Sequence, residues 1–264
     1  MVSKGRVDGT QLYYEVAGEG RPLVLVHSGG FDRRIWEEQV SAFADHYKVI
    51  CYDVRGHGQS ALPTKPYSDS EDLASLLQWL QVENAHLVSL SMGGRILIDF
   101  ALAHPEMIDC LILVAPDLSG YAFSGEHIQG WIKIVTSIEH EDGTPAGDLW
   151  LQSPYLLPAM ENPAVARQLR PIARENARTW LIHPLLARDP FVVPSAAQRL
   201  SEIHAPTLLV VGDRDTSDVE NMVRLLENGI TGIQKVVISG AGHIVNMEKP
   251  TEFNRVVLEF LSNR

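Results

Sequence analysis

Three side chains whose types suit nucleophilic attack on a carbonyl follow one another along a chain of 264 residues. Ser91 lies in HLVSLSMGGRIL, residues 86–97, where an apolar run meets a serine and then two glycines. A strand that delivers a hydroxyl into a sharp turn exposes the oxygen, and Gly93 and Gly94 let the next helix pack close behind it. The amide of Met92 then falls at a helix N-terminus, where developing negative charge is stabilised. The competing reading is that Ser91 only caps that helix. Further along, Asp213 and Asp215 follow the apolar run of LLVVGDRDT, and His243 follows that of VVISGAGHIVNMEKP. An imidazole that removes the serine proton needs a carboxylate to fix its tautomer and to stabilise its charged form. Serine, then an acid, then histidine, each just past its own apolar run, is a recognised chain order for such a set. Both aspartates remain open as the acid at this point. In LVLVHSGGFDRRIW, Gly29 can bring its amide to a reacting oxygen, so Gly29 and Met92 are the two expected oxyanion-hole donors. The alternative there is an ordinary glycine turn, and His27 is read as structural.

Such groups must be positioned by a scaffold, and the pattern predicts one. Val-, Ile- and Leu-rich runs recur at 23–27, 48–53, 86–90, 110–114, 207–211 and 235–238, with helical spacing at 36–47, 70–80 and 94–103 between them. Apolar strands alternating with helices indicate an α/β fold with a mostly parallel central sheet covered by helices on both faces. Ahead of them, an Asp8-Gly9 turn between alternating runs predicts an antiparallel hairpin at the sheet edge. The alternation stops between Leu118 and Leu200, where Trp131, Trp150, Tyr155 and Trp180 lie among Pro-punctuated pieces. That stretch reads as a helical cap inserted in the core: core 1–117, cap 118–200, core 201–264. The four aromatic residues are candidates for an apolar substrate pocket, although core packing is the commoner use of such side chains.

Composition narrows the partners. Charged residues at 21% and hydrophobic ones at 45% are those of an ordinary folded protein. A net charge of −11 with scattered Lys and Arg leaves no basic stripe for nucleic acid. No apolar run reaches membrane-spanning length and the first residues do not read as a signal peptide, so a soluble, cytoplasmic protein is expected, without a membrane partner. Cys51 and Cys110 are expected as buried free thiols. No metal-ligand spacing occurs, so neither metal nor cofactor is expected.

These residues together resemble the α/β-hydrolase family over nearly the whole chain. The Ser-x-Ser-Met-Gly-Gly elbow at 89–94 has Ser89 where the family usually has glycine, and DVRGHGQS at 53–60 is similar to its Asp-x-Arg-Gly-x-Gly-x-Ser turn. HSGG at 27–30 resembles the oxyanion loop, GDRD at 212–215 the acid turn, and GAGHIVNMEKP at 240–250 the histidine loop. The resemblance implies Asp215 as the acid, with Asp117 in LVAPD as the alternative seen in some relatives. Members that open epoxides or displace halide use an aspartate nucleophile, and Ser91 argues against both. The implied function is a serine hydrolase cleaving carboxylic esters of small, largely apolar molecules through an acyl-enzyme, with no cofactor. A lactonase like the enol-lactone hydrolases and a cofactor-free perhydrolase are the enzymatic alternatives, and a ligand receptor on the same scaffold is the non-enzymatic one. An anionic lactone would call for Arg33, Arg34 or Arg95, each of which is otherwise read as a solvated surface cation.

Overall fold

The computed structural model describes residues 3–6, 11–139, 146–180, 186–187, 189 and 192–262. Among these residues, eight strands form one sheet: β1 Ser3–Arg6, β2 Tyr13–Ala17, β3 Pro22–Val26, β4 Lys48–Tyr52, β5 Ala85–Leu90, β6 Ile108–Val114, β7 Thr207–Gly212 and β8 Gln234–Ile238. Their spatial order is β1-β2-β4-β3-β5-β6-β7-β8. β1 and β2 are antiparallel to each other and β2 is antiparallel to β4, while every pair from β4 to β8 is parallel. The expected edge hairpin is therefore present, although its Asp8-Gly9 turn lies outside the described residues. All six residues of β5 and of β7 are buried, as continuous apolar runs in a doubly covered sheet require.

Helices flank the sheet. α1 (Glu37–Phe43), α2 (Asp69–Trp79) and α3 (Met92–Ala103) fall where the 3.6-residue spacing places them. The first is shorter than the 36–47 pattern suggests. A 3-10 turn over Arg33–Trp36 leads into it, and it ends at Phe43 because the chain must turn back into β4. Gly18 shows how tight that turn is: at φ +75° it lies so close to the carbonyls of Ala44 and Tyr47 that any Cβ would collide with them. Between β6 and β7 lie α4 (Gly125–Glu139), α5 (Ala146–Leu151), α6 (Leu157–Met160) and α7 (Pro163–Glu175), with no strand among the described residues. After β7 come α8 (Ser217–Gly229), α9 (Val245–Glu248) and α10 (Pro250–Ser262). No helix among the described residues is long and apolar enough to cross a membrane. Cys51 and Cys110 are buried and form no disulfide among the described residues.

Strand order decides where chemistry can sit. The chain moves from β3 outward to β4 on one side and then returns to place β5 on the other, so the crevice beyond their C-terminal ends is a topological switch point. β3 and β5 are paired at Val26 and Ser89, so the loops that leave them, 27–30 and 91–94, emerge side by side. β7 and β8 are paired at Gly212 and Ile238, which does the same for the loops carrying Asp215 and His243.

One buried cluster ties the β6–β7 excursion to this rim. The Asn176 side chain, just past α7, donates to Asp32 at 2.8 Å and accepts from the Gly58 amide at 2.7 Å. Asp32 also accepts from Arg34 Nε and Nη2 at 2.8 and 2.7 Å. Burial alone would raise the Asp32 carboxyl, but these donors outweigh it and hold the group at about 2, below its usual 3.8. A carboxyl with a depressed folded value stabilises the fold above its unfolded value, and the gain is lost as pH falls through the folded one. Asp32 is thus expected to contribute about 2 kcal/mol above pH ~4 and to lose it progressively toward pH ~2. Urea unfolding of wild type and Asp32→Asn between pH 6 and 2.5 checks this: the stability gap should shrink as pH falls, and a constant gap would refute it.

Candidate active site

The turn after β5 is built as the glycines suggest. Ser91 adopts φ 54° and ψ −115°, a conformation that L-residues avoid. Gly93 is forced by the close pass of the β3 end, since a Cβ there would strike the carbonyls of Val26 and His27. Ser91 makes no capping hydrogen bond to α3, so the simple helix-cap reading is set aside. Ser91 instead lines a cavity of about 780 Å³. Ser89, standing where a glycine is usual, points its hydroxyl toward the Ile112 carbonyl at 3.3 Å and fits inside the sheet.

His243 Nδ1 lies 2.9 Å from Asp215 Oδ2, and both side chains are only 2% exposed. The other ring nitrogen, Nε2, is buried and has no hydrogen-bond partner among the described residues. Asp215 also accepts from the Thr216 amide at 2.7 Å, which fixes the carboxylate in its plane. Ser91, Asp215 and His243 line the same cavity, as do Gly29 and Met92. The other two candidate acids do different things. Asp213 is exposed and clamps the histidine loop, accepting from Ser239 Oγ at 2.8 Å and the Gly240 amide at 2.7 Å, which holds its carboxyl below the usual range. Asp117 lies at the end of β6, where its amide donates to the Ser91 carbonyl at 3.0 Å and its carboxylate accepts from the Leu118 amide at 2.7 Å.

The supporting loops are held by groups that spacing alone did not single out. Glu248 accepts from the amides of Gly242 and Ile244 at 2.8 and 3.0 Å, gripping the backbone on both sides of His243. Burial raises its carboxyl despite those donors. Its only signal in the sequence is its place five residues after the histidine. His27 is structural as expected: its Nδ1 faces the Ser28 carbonyl at 2.9 Å and its Nε2 accepts from the Val54 amide at 2.9 Å. The DVRGHGQS turn works the same way, with Asp53 accepting from the Arg33 and Gln59 amides at 3.0 and 2.8 Å and none of its residues reaching the cavity.

Trp131, Trp150, Tyr155 and Trp180 all line the cavity. Trp131 is at 36% exposure and belongs to the rim, while Trp150 and Tyr155 are buried. The Trp150 and Trp180 rings lie 4.7 Å apart, and Tyr155 meets His243 edge-on at 4.9 Å. A second histidine escaped the sequence reading: His127 of α4 stacks on Phe123 at 4.0 Å and reaches the Tyr155 hydroxyl at 2.9 Å through Nδ1. Burial pulls it below its usual value, against the attraction of Asp117 and Asp218.

The three arginines considered for an anionic substrate are all paired with carboxylates, Arg33 and Arg95 largely buried and Arg34 32% exposed. Arg33 pairs with Glu15 and Asp53, and Arg34 with Asp32 and Glu175. Arg95 is buried, with Nη2 2.9 Å from Asp69 and Nη1 3.6 Å from Asp99. The fold brings Arg33 and Arg95 inward because carboxylates wait on neighbouring segments, Asp53 just past β4 and Asp69 on α2.

Residues 23–256 match the family model described as Alpha/beta hydrolase family. The chain is 32% identical to a 2-hydroxy-6-oxononadienedioate/2-hydroxy-6-oxononatrienedioate hydrolase of Burkholderia vietnamiensis, over 96% of this chain and 92% of that one. It is 29% identical to 3-oxoadipate enol-lactonase 2 of Acinetobacter baylyi, over 93% and 91%. Among solved structures, a thermophilic esterase from Thermogutta terrifontis superposes with a TM-score of 0.81 at 26% identity, covering 100% of this chain and 98% of that one.

Proposed function

The chain belongs to the alpha/beta hydrolase family, and from that premise we propose that it is a serine hydrolase cleaving carboxylic esters, lactones included, of small and largely apolar molecules. The observation that carries this reading is the His243 imidazole, bonded through Nδ1 to Asp215, with a buried Nε2 that has no hydrogen-bond partner among the described residues, at the wall of the cavity that Ser91 also lines. Esterase and enol-lactonase relatives support the same chemistry.

In this reading Ser91 Oγ attacks the carbonyl carbon while His243 Nε2 takes its proton, and the Asp215 carboxylate stabilises the imidazolium that forms. The negative charge on the carbonyl oxygen is met by the amides of Gly29 and Met92, both at the cavity wall. Collapse expels the alcohol, which takes the proton back from His243 and leaves the acyl group on Ser91. Water, deprotonated by His243, then cleaves the acyl-enzyme to the acid and restores Ser91. Residues 118–200 serve as the cap that supplies the aromatic wall, and the chemistry requires no cofactor.

Turnover tests the proposal. With p-nitrophenyl esters of two to eight carbons and with simple lactones, sustained release at roughly 1–1,000 per second is expected. A single burst equal to the protein concentration, with nothing after it, would instead fit a receptor that keeps its acylated ligand.

A further inference from the structure

The charge of the cavity wall speaks to the charge of the substrate, and this step rests on the ester-hydrolase reading above. Among the described residues, the ionised side chains that line the cavity are the carboxylates Asp117, Glu126, Asp215 and Asp218 and the guanidinium groups Arg95 and Arg214. Both cations already face carboxylates. Arg95 lies with Nη2 2.9 Å from Asp69 and Nη1 3.6 Å from Asp99. Arg214 pairs with Glu161 at 2.8 Å. The carboxylates that line the cavity outnumber the two guanidinium groups. Asp218 is buried and accepts only from neutral donors, Tyr121 Oη at 3.0 Å and Ser124 Oγ at 2.7 Å, together with the Ser124 amide. Asp117 is half-buried, and its carboxylate accepts from the Leu118 amide. Trp150, Tyr155 and Trp180 also line the cavity, and aromatic faces attract cations rather than anions.

Apart from Asp215, which is engaged with His243, Asp117 is the carboxylate tied directly to the nucleophile's turn, its backbone amide being bonded to the carbonyl of Ser91 itself. A carboxylate brought in on either arm of an ester would lose water on entering and find like charge, with both lining cations already facing protein carboxylates. We infer that this cavity turns over uncharged and cationic carboxylic esters in preference to esters that carry a carboxylate, and that Asp117 sets the preference.

The test uses three p-nitrophenyl esters with acyl chains of equal length: hexanoate, the monoester of adipic acid and 6-aminohexanoate. Each kcat/KM is divided by the ester's own rate of alkaline hydrolysis, to remove intrinsic reactivity. Wild type should favour hexanoate over the adipate monoester by roughly 30-fold or more and treat 6-aminohexanoate at least as well as hexanoate. Asp117→Asn should cut the hexanoate-to-adipate ratio to within about fivefold, and Asp117→Lys should invert it. If these variants fail to fold, a salt series on wild type still decides, because the ratio should shrink several-fold between about 20 mM and 0.5 M salt. An adipate monoester processed within threefold of hexanoate by wild type, or a ratio indifferent to both substitution and salt, would overturn the inference while leaving ester hydrolysis standing. Failure of wild type to turn over any of the three would overturn the hydrolase reading itself, and this preference with it.

Discussion

Ser91→Ala is expected to lower kcat on p-nitrophenyl esters by about 10⁴-fold or more, leaving only what the oxyanion donors and substrate binding provide. The loss should appear without a matching loss of fold. Alanine keeps the Cβ, so the strained backbone at φ 54° and ψ −115° stays as it is and the melting temperature should move little. Glycine separates the two contributions. At this φ and ψ a Cβ is the source of strain, with a cost of order 1–3 kcal/mol, and glycine removes it against its own entropic penalty of roughly 0.5–1 kcal/mol. Ser91→Gly should therefore be as inactive as Ser91→Ala and yet more stable than wild type, by about 1 kcal/mol in urea unfolding. Strain that is kept for presenting a hydroxyl predicts this opposite movement of activity and stability. If Ser91→Ala retained half of wild-type turnover, the nucleophile would have to be sought elsewhere. If Ser91→Gly unfolded more easily than wild type, the strain argument would be wrong even with the nucleophile right.

Legibility of the site in the sequence follows from how local each determinant is. The strand ends at Leu90, Gly212 and Ile238 and the glycines after Ser91 are written in short stretches, because apolar runs and turn chemistry act over a few residues. Ser91, Asp215 and His243 could be read from the same stretches together with their order. Asn176, Glu248 and His127 could not. Asn176 matters through Asp32 and Gly58, more than a hundred positions away in the chain. Glu248 works on two backbone amides rather than on a side chain with its own signature. His127 enters the cavity only because α4 carries it there, and nothing in the spacing of that helix fixes how it packs. The arginines were misjudged for the same reason. Charged side chains are usually solvated, and the aspartates that draw Arg33 and Arg95 inward come from β4-end and α2 segments that sequence cannot place beside them.

Asp215→Asn carries the second large effect, a fall in kcat of about 10⁴-fold with the fold intact. The reason lies in the direction of one hydrogen bond. With a carboxylate at 215, His243 Nδ1 must hold the proton it donates across 2.9 Å, so Nε2 is the free base that Ser91 needs. An asparagine amide can turn its NH₂ toward Nδ1 and donate instead, which places the ring proton on Nε2 and removes the base. Asp117→Asn should behave differently, costing less than about tenfold on a neutral ester. Its carboxylate is engaged with the Leu118 amide, while the imidazole is bonded to Asp215. Asp213→Asn should cost less again, since Asp213 is an exposed clamp on the Ser239–Gly240 turn and its oxygens never face the ring. The ranking Asp215 far above Asp117 and Asp213 is the result to look for in single-turnover acylation rates. The reverse order between 215 and 117 would move the acid to the end of β6 and require His243 to swing away from the partner it now has.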